Sequence, residues 1–125
     1  MKILLIEDNQ ANAEIFIGML RLHGYTDVVH KPTGVEGLRE AKSNTFDATL
    51  VDFDLPDLHG TQVGLSLATM MQKQRIKTAP LIALTAQSDK SSQAKAERSG
   101  FDAFIGKPCL ESDLVDVIRQ LTSTL

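Results

Sequence analysis

Five short apolar runs divide this chain, and their spacing limits the folds open to it. They are Ile3-Leu4-Leu5-Ile6, Val28-Val29, Ala48-Thr49-Leu50-Val51, Leu81-Ile82-Ala83-Leu84 and Ala103-Phe104-Ile105. Three are continuous rather than alternating, as expected of strands buried on both faces. Val28-Val29 is the weakest and is expected at an edge. Longer stretches with helical spacing separate the runs. Ala13, Phe16, Leu20 and His23 form one stripe, ended by Gly24. Val35, Leu38, Ala41 and Lys42 form a second, opened by Thr33-Gly34, and Val63, Leu67, Met70 and Met71 a third. The polar stretch Ser88 to Ser99, with a capping serine before it and Gly100 after it, predicts a fourth helix. Leu110, Leu114, Val117, Ile118 and Leu121 mark the last. Strand then helix, five times over, predicts an α/β fold: an open parallel sheet with helices on both faces.

At roughly 100–200 residues per domain, 125 residues make one domain spanning 1–125. Acidic residues outnumber basic ones, 16 to 13, which argues against a nucleic-acid grip. A single cysteine, Cys109, excludes an intramolecular disulfide and a multi-cysteine metal site. No apolar run approaches the roughly 18 residues of a membrane span, and no signal peptide opens the chain. A cytoplasmic location is the expectation.

The residues that follow the apolar runs are polar in a particular way. The first run ends in Glu7-Asp8, the third in Asp52 and the fourth in Thr85; Gly106-Lys107-Pro108 follows the fifth. In open α/β sheets, sites form at the carboxyl ends of strands where the strand order reverses. If the strand order is 2-1-3-4-5, Glu7, Asp8 and Asp52 would meet in one pocket beside Thr85 and Lys107. Three carboxylates at close range repel, so a divalent cation is expected. Hard oxygen ligands in a small open site favour Mg²⁺. A lysine and a hydroxyl alongside suit a phosphoryl group, and one carboxylate can serve as its nucleophile.

Four segments carry a family resemblance: Leu5-Ile6-Glu7-Asp8-Asn9, Leu50 through Gly60 with its Asp52-Phe53-Asp54-Leu55-Pro56, Ala83-Leu84-Thr85-Ala86, and Gly106-Lys107-Pro108. Together they resemble the receiver domain of two-component response regulators, from Met1 to Leu121. The resemblance implies a flavodoxin-like, doubly wound, five-stranded parallel sheet of order 2-1-3-4-5 with five helices. It implies Asp52 as phospho-acceptor, with Mg²⁺ bound by Asp8, by Glu7 through water, by Asp52 and by the Asp54 backbone carbonyl. Lys107, aided by a cis bond to Pro108, would pair with the phosphoryl oxygens or Asp52. Thr85 and Phe104 would form the switch, and the fourth helix, fifth strand and fifth helix the output face. The donor would be a histidine kinase or histidine phosphotransfer protein. The output would be contact with a downstream protein, with no nucleic acid or membrane involved.

Other readings compete. Asp52-Phe53-Asp54 also resembles the Asp-x-Asp pair of haloacid-dehalogenase-type phosphatases. There the acidic metal pair comes late in the chain, and here it comes first. A flavodoxin-like cofactor site fails because Glu7-Asp8 would repel the cofactor's phosphate. The chain is then a switch rather than an enzyme, apart from its own phosphotransfer and autodephosphorylation. Met1 favours a free-standing receiver over an excised one. His23, His30 and His59 show no ligand spacing and read as structural or solvated. Asp54 and Gln87 are expected to tune the phosphate's lifetime. The fourth helix, anchored only by Ala94 and Ala96, is expected to respond most. On the first helix, Ile15 and Leu22 fall roughly 100° or more from Phe16, with Gly18 between them. They predict a docking seam for the phosphodonor.

Overall fold

A computed structural model describes residues 1–74, 79–86 and 89–122. Five strands alternate with five helices: β1 (Lys2–Ile6), α1 (Gln10–Leu22), β2 (Asp27–Lys31), α2 (Gly34–Ser43), β3 (Ala48–Asp52), α3 (Gly60–Gln74), β4 (Leu81–Thr85), α4 (Lys90–Arg98), β5 (Ala103–Gly106) and α5 (Glu111–Thr122). All four strand pairings are parallel, in the order β2-β1-β3-β4-β5. The predicted order holds, and β2 is the edge strand foreseen for Val28-Val29.

Strand alternation sorts the apolar side chains into two cores. Ile3, Leu5, Leu50, Ile82 and Leu84 face one side, under Phe16 and Leu20 of α1 and Leu114 and Ile118 of α5. Leu4, Ile6, Val51, Leu81 and Ala83 face the other, under Val63 and Leu67 of α3 and Ala96 of α4. Because both faces are covered, β1, β3 and β4 read as unbroken apolar runs.

Several helix details differ from the periodicity. His23 is not in the core: α1 stops at Leu22, His23 is its C-cap, and the imidazole pairs with Glu111 at the start of α5. Gly24 then takes φ +88°, the left-handed turn that ends the helix. Val35 and Lys42 are exposed, because α2 turns Gly34 and Gly37 inward instead. A Cβ at Gly37 would lie 2.3 Å from Ile6 Cδ1, so the helix can approach β1 only with that face bare. Leu110 is also exposed, since it precedes the first turn of α5; Val115 is buried in that helix instead. Asp89 caps α4 by accepting from Ser92 N at 2.9 Å, while the predicted start at Ser88 lies outside the described residues.

Candidate functional site

The carboxyl ends of β1, β3, β4 and β5 converge as expected. Glu7 follows β1 and is fully buried; Asp52 ends β3 and Thr85 ends β4, both buried. Carboxylate oxygens of Glu7, Asp8 and Asp52 lie within 4.8 Å of one another, with Asp8 exposed at the mouth. Lys107 Nζ reaches between the buried pair, 3.2 Å from Glu7 Oε2 and 3.2 Å from Asp52 Oδ1. Its backbone N donates to Thr85 O at 2.6 Å, and its bond to Pro108 is cis, as the resemblance implied.

Charge in this pocket is unbalanced. Burial, then the Asp52 charge, raises the Glu7 carboxyl above its ordinary value, although Lys107 pulls the other way. Burial also works against the Lys107 ammonium, but Asp52 and Glu7 outweigh it and hold its pKa above the ordinary lysine value. One cation thus faces three carboxylates. The cluster consists of hard oxygen donors alone, which fits Mg²⁺ binding.

The remaining predicted residues lie around this centre. Asp54 is exposed on the loop after β3, and its N–H donates to Asp52 Oδ1 at 3.0 Å. Phe104 is half-buried on β5, its ring centroid 6.0 Å edge-on from Phe53. Gln87 lies outside the described residues. On α1, Ile15 and Leu22 are 55% and 76% exposed, which places both off the core face. The structure separates them, however. Ile15 lines a cavity of about 350 Å³ together with Met19, Lys107, Pro108 and Cys109. Leu22 and Gly18 do not line it.

Sequence reading missed three features. His30, taken as structural or solvated, bonds through Nε2 to the Glu7 carbonyl at 2.7 Å, beside the acidic pair. Phe53 packs edge-on against Phe101 at 5.5 Å as well as Phe104, so the residue after Asp52 joins β5 to the end of α4. Asp57 accepts from the first amides of α2. Each contact joins residues distant in sequence, and no local pattern announces it.

A five-stranded parallel sheet with an acidic, lysine-bridged pocket at the switch point defines a class of phosphoryl-accepting signalling domain. The family profile of the response regulator receiver domain matches residues 3–119, and the chain belongs to that family. It is a receiver domain of two-component, phosphorylation-dependent signalling. It is similar to hybrid signal transduction histidine kinase G of Dictyostelium discoideum, 32% identical over 123 residues. That match covers 96% of this chain and 4% of the kinase; the chain spans only a small part of the hybrid kinases it resembles. It is also similar to the polar-differentiation response regulator DivK of Brucella ovis, 26% identical over 117 residues, covering 94% of this chain and 92% of DivK. Among solved structures, the receiver domain of sensor histidine kinase PA1611 from Pseudomonas aeruginosa superposes with a TM-score of 0.87 at 28% identity, covering 98% of each chain. That structure has a magnesium ion coordinated in its active-site cleft.

Proposed function

We propose that Asp52 accepts a phosphoryl group from a histidine kinase or histidine phosphotransfer protein, and that the resulting acyl phosphate changes the domain's contacts with a downstream protein in the cytoplasm. The observation that carries this reading is the position of Lys107 Nζ, 3.2 Å from Asp52 Oδ1 inside a three-carboxylate cluster. An Asp52 carboxylate oxygen attacks the phosphorus in line. The P–N bond of the phosphohistidine breaks, and its electron pair returns to the imidazole nitrogen. Lys107 pairs with the phosphoryl oxygens, and the Thr85 hydroxyl donates to one of them. Glu7, Asp8, Asp52 and the Asp54 carbonyl are the residues that would hold Mg²⁺. When bound, the metal neutralises charge on the phosphoryl oxygens. Movement of Thr85 frees space for the Phe104 ring, and α4, β5 and α5 present the altered face. Asp54, exposed on the loop after β3, sets the phosphate's lifetime together with Gln87.

The phosphodonor docks on the groove between α1 and the Lys107-Pro108-Cys109 segment. Ile15 is its apolar wall, and Leu22, one heptad on, extends the ridge past Gly18. The exposed apolar side chains and the opening beside Lys107 support this placement.

Labelling with a small acyl-phosphate donor and Mg²⁺ tests the acceptor. Asp52→Asn abolishes incorporation; labelling at the unaltered rate would overturn the assignment. Ile15→Ser slows transfer from the protein donor about tenfold and leaves the small donor unaffected. Parallel loss from both donors, or no loss, counts against the groove.

A further inference from the structure

Helix α2 carries two caps, and only one is local. Thr33 is the local one, its Oγ1 accepting from Glu36 N at 3.1 Å. The other comes from a different loop. Asp57 Oδ1 accepts from Gly34 N and Oδ2 from Val35 N, each at 2.9 Å, across 23 and 22 residues. Slight burial works against the charge, but these backbone donors hold the Asp57 carboxyl below its ordinary range. Gly34 permits the approach: a Cβ there would lie 3.1–3.2 Å from side-chain atoms of Leu58 and Val63.

Asp57 sits at the tip of the loop between β3 and α3, the loop that begins beside the phospho-acceptor. The base of that loop is pinned. Asp54 N donates to Asp52 Oδ1, Asp54 bridges His59, and Gly60 N donates to Phe53 O at 3.0 Å. The tip is tied instead to α2, through both Asp57 oxygens. Asp54, whose carbonyl is among the proposed metal ligands, lies three residues from this tether.

We propose that Asp57 is a positioning residue for the Mg²⁺ site, holding the loop against the first turn of α2 so that the Asp54 carbonyl is oriented before the metal arrives. This rests on the proposed function, in which that carbonyl is a ligand. Without this tether the loop is held at its base alone, and the part that must then be ordered during binding costs entropy that weakens affinity. The coupling is reciprocal, so Mg²⁺ tightens the Asp57 link and steadies the start of α2.

A cap that served only α2 would behave like Thr33, and the experiment turns on that difference. Mg²⁺ affinity is measured by calorimetry on the full chain and on Asp57→Ala, Asp57→Asn and Thr33→Ala, with thermal stability alongside. Asp57→Ala weakens Mg²⁺ binding roughly tenfold, and Asp57→Asn, which keeps one acceptor oxygen, weakens it less. Thr33→Ala loses thermal stability and keeps its Mg²⁺ affinity. In the unaltered protein, Mg²⁺ slows exchange of the Gly34 and Val35 amides. Unaltered affinity in Asp57→Ala, or equal loss in Asp57→Ala and Thr33→Ala, overturns the inference. If Asp57→Ala does not fold, Asp57→Asn against Thr33→Ala decides in the same way. Failure of the unaltered protein to bind Mg²⁺ overturns the proposed function and this inference together, whereas normal binding with insensitive variants overturns the inference alone.

Discussion

On one side of the sheet, α1 and α5 press Phe16, Leu20, Leu114 and Ile118 onto the aliphatic residues of β1, β3 and β4. On the other, α2, α3 and α4 lie over a core that includes Phe46, Phe53 and Phe101, with Phe104 packed at its edge. On the first side, both helices are anchored by large buried side chains. The second contains the weakest anchor: Ala96 is the buried residue of α4, whereas α5 buries Leu114, Val115 and Ile118. Both helices flank β5 in sequence, yet apolar burial holds one much more firmly than the other. A domain that must change shape on a small chemical signal needs such an asymmetry, because packed cores shift between discrete arrangements and weakly held elements move first. Phe53, the residue after the proposed acceptor Asp52, lies in the second core and packs against Phe101 and Phe104, so β3 is in contact with the side that contains α4.

The sharpest way to break this comparison is to cut an anchor on each side. Leu114→Ala should cost about 3 kcal/mol in denaturant unfolding, while Ala96→Gly costs about 1 kcal/mol. Amide exchange should show α4 opening well before α5 in the unaltered protein. On phosphorylation, protection should change in α4 and hold in α5. Equal protection of the two helices, or an α5 response as large as that of α4, would remove the asymmetry.

A pair of glycines sharpens it at smaller magnitude. On the second side, a Cβ at Gly60 would lie 2.7 Å from Phe53 Cα and 2.3 Å from its ring. Gly60→Ala should therefore destabilise by about 2 kcal/mol and slow phosphorylation, since the backbone it displaces adjoins Asp52. On α1, nothing lies within 4 Å of a Cβ at Gly18. Gly18→Ala should stabilise by about 0.5–1 kcal/mol through helix propensity, with labelling by a small donor unchanged. A stabilising Gly60→Ala would show that the Phe53 packing is looser than the geometry requires.

The smallest effect concerns the pocket that both sides support. Burial and the Asp52 charge raise Glu7, so the folded protein keeps that proton to higher pH than the unfolded chain does. Metal-free stability from this group is full below the unfolded carboxylate value and falls as pH rises through the raised folded one. Glu7→Gln removes that loss. It should raise the metal-free Tm at neutral pH, flatten this limb of the Tm–pH profile and weaken Mg²⁺ binding. An identical profile in the variant would mean that Glu7 is not strained by its surroundings.

The linear sequence alone marked Glu7-Asp8, Asp52, Thr85 and Lys107, because β-strands buried on both faces read as apolar runs and whatever ends them is conspicuous. It also carried the five-fold strand–helix alternation and the weakness of α4, since a helix with two alanines as its apolar residues cannot bury much. The family resemblance supplied the strand order. Tertiary structure decided what depends on distance across the chain. Periodicity placed only half of the α2 stripe correctly: Leu38 and Ala41 pack on the second core, but Val35 and Lys42 are exposed, and Gly34 and Gly37 turn inward because Leu58, Val63 and Ile6 occupy the space. His23 reads as part of the α1 stripe until Glu111, 88 residues away, draws it to the helix end. Ile15 and Leu22 look equivalent on a helical wheel, and only the Lys107-Pro108-Cys109 segment makes one of them a groove wall. Asp57 has no local signal, because its partners are backbone amides, and every sequence offers those at every position; which ones a carboxylate meets is settled only when the loop and α2 pack together.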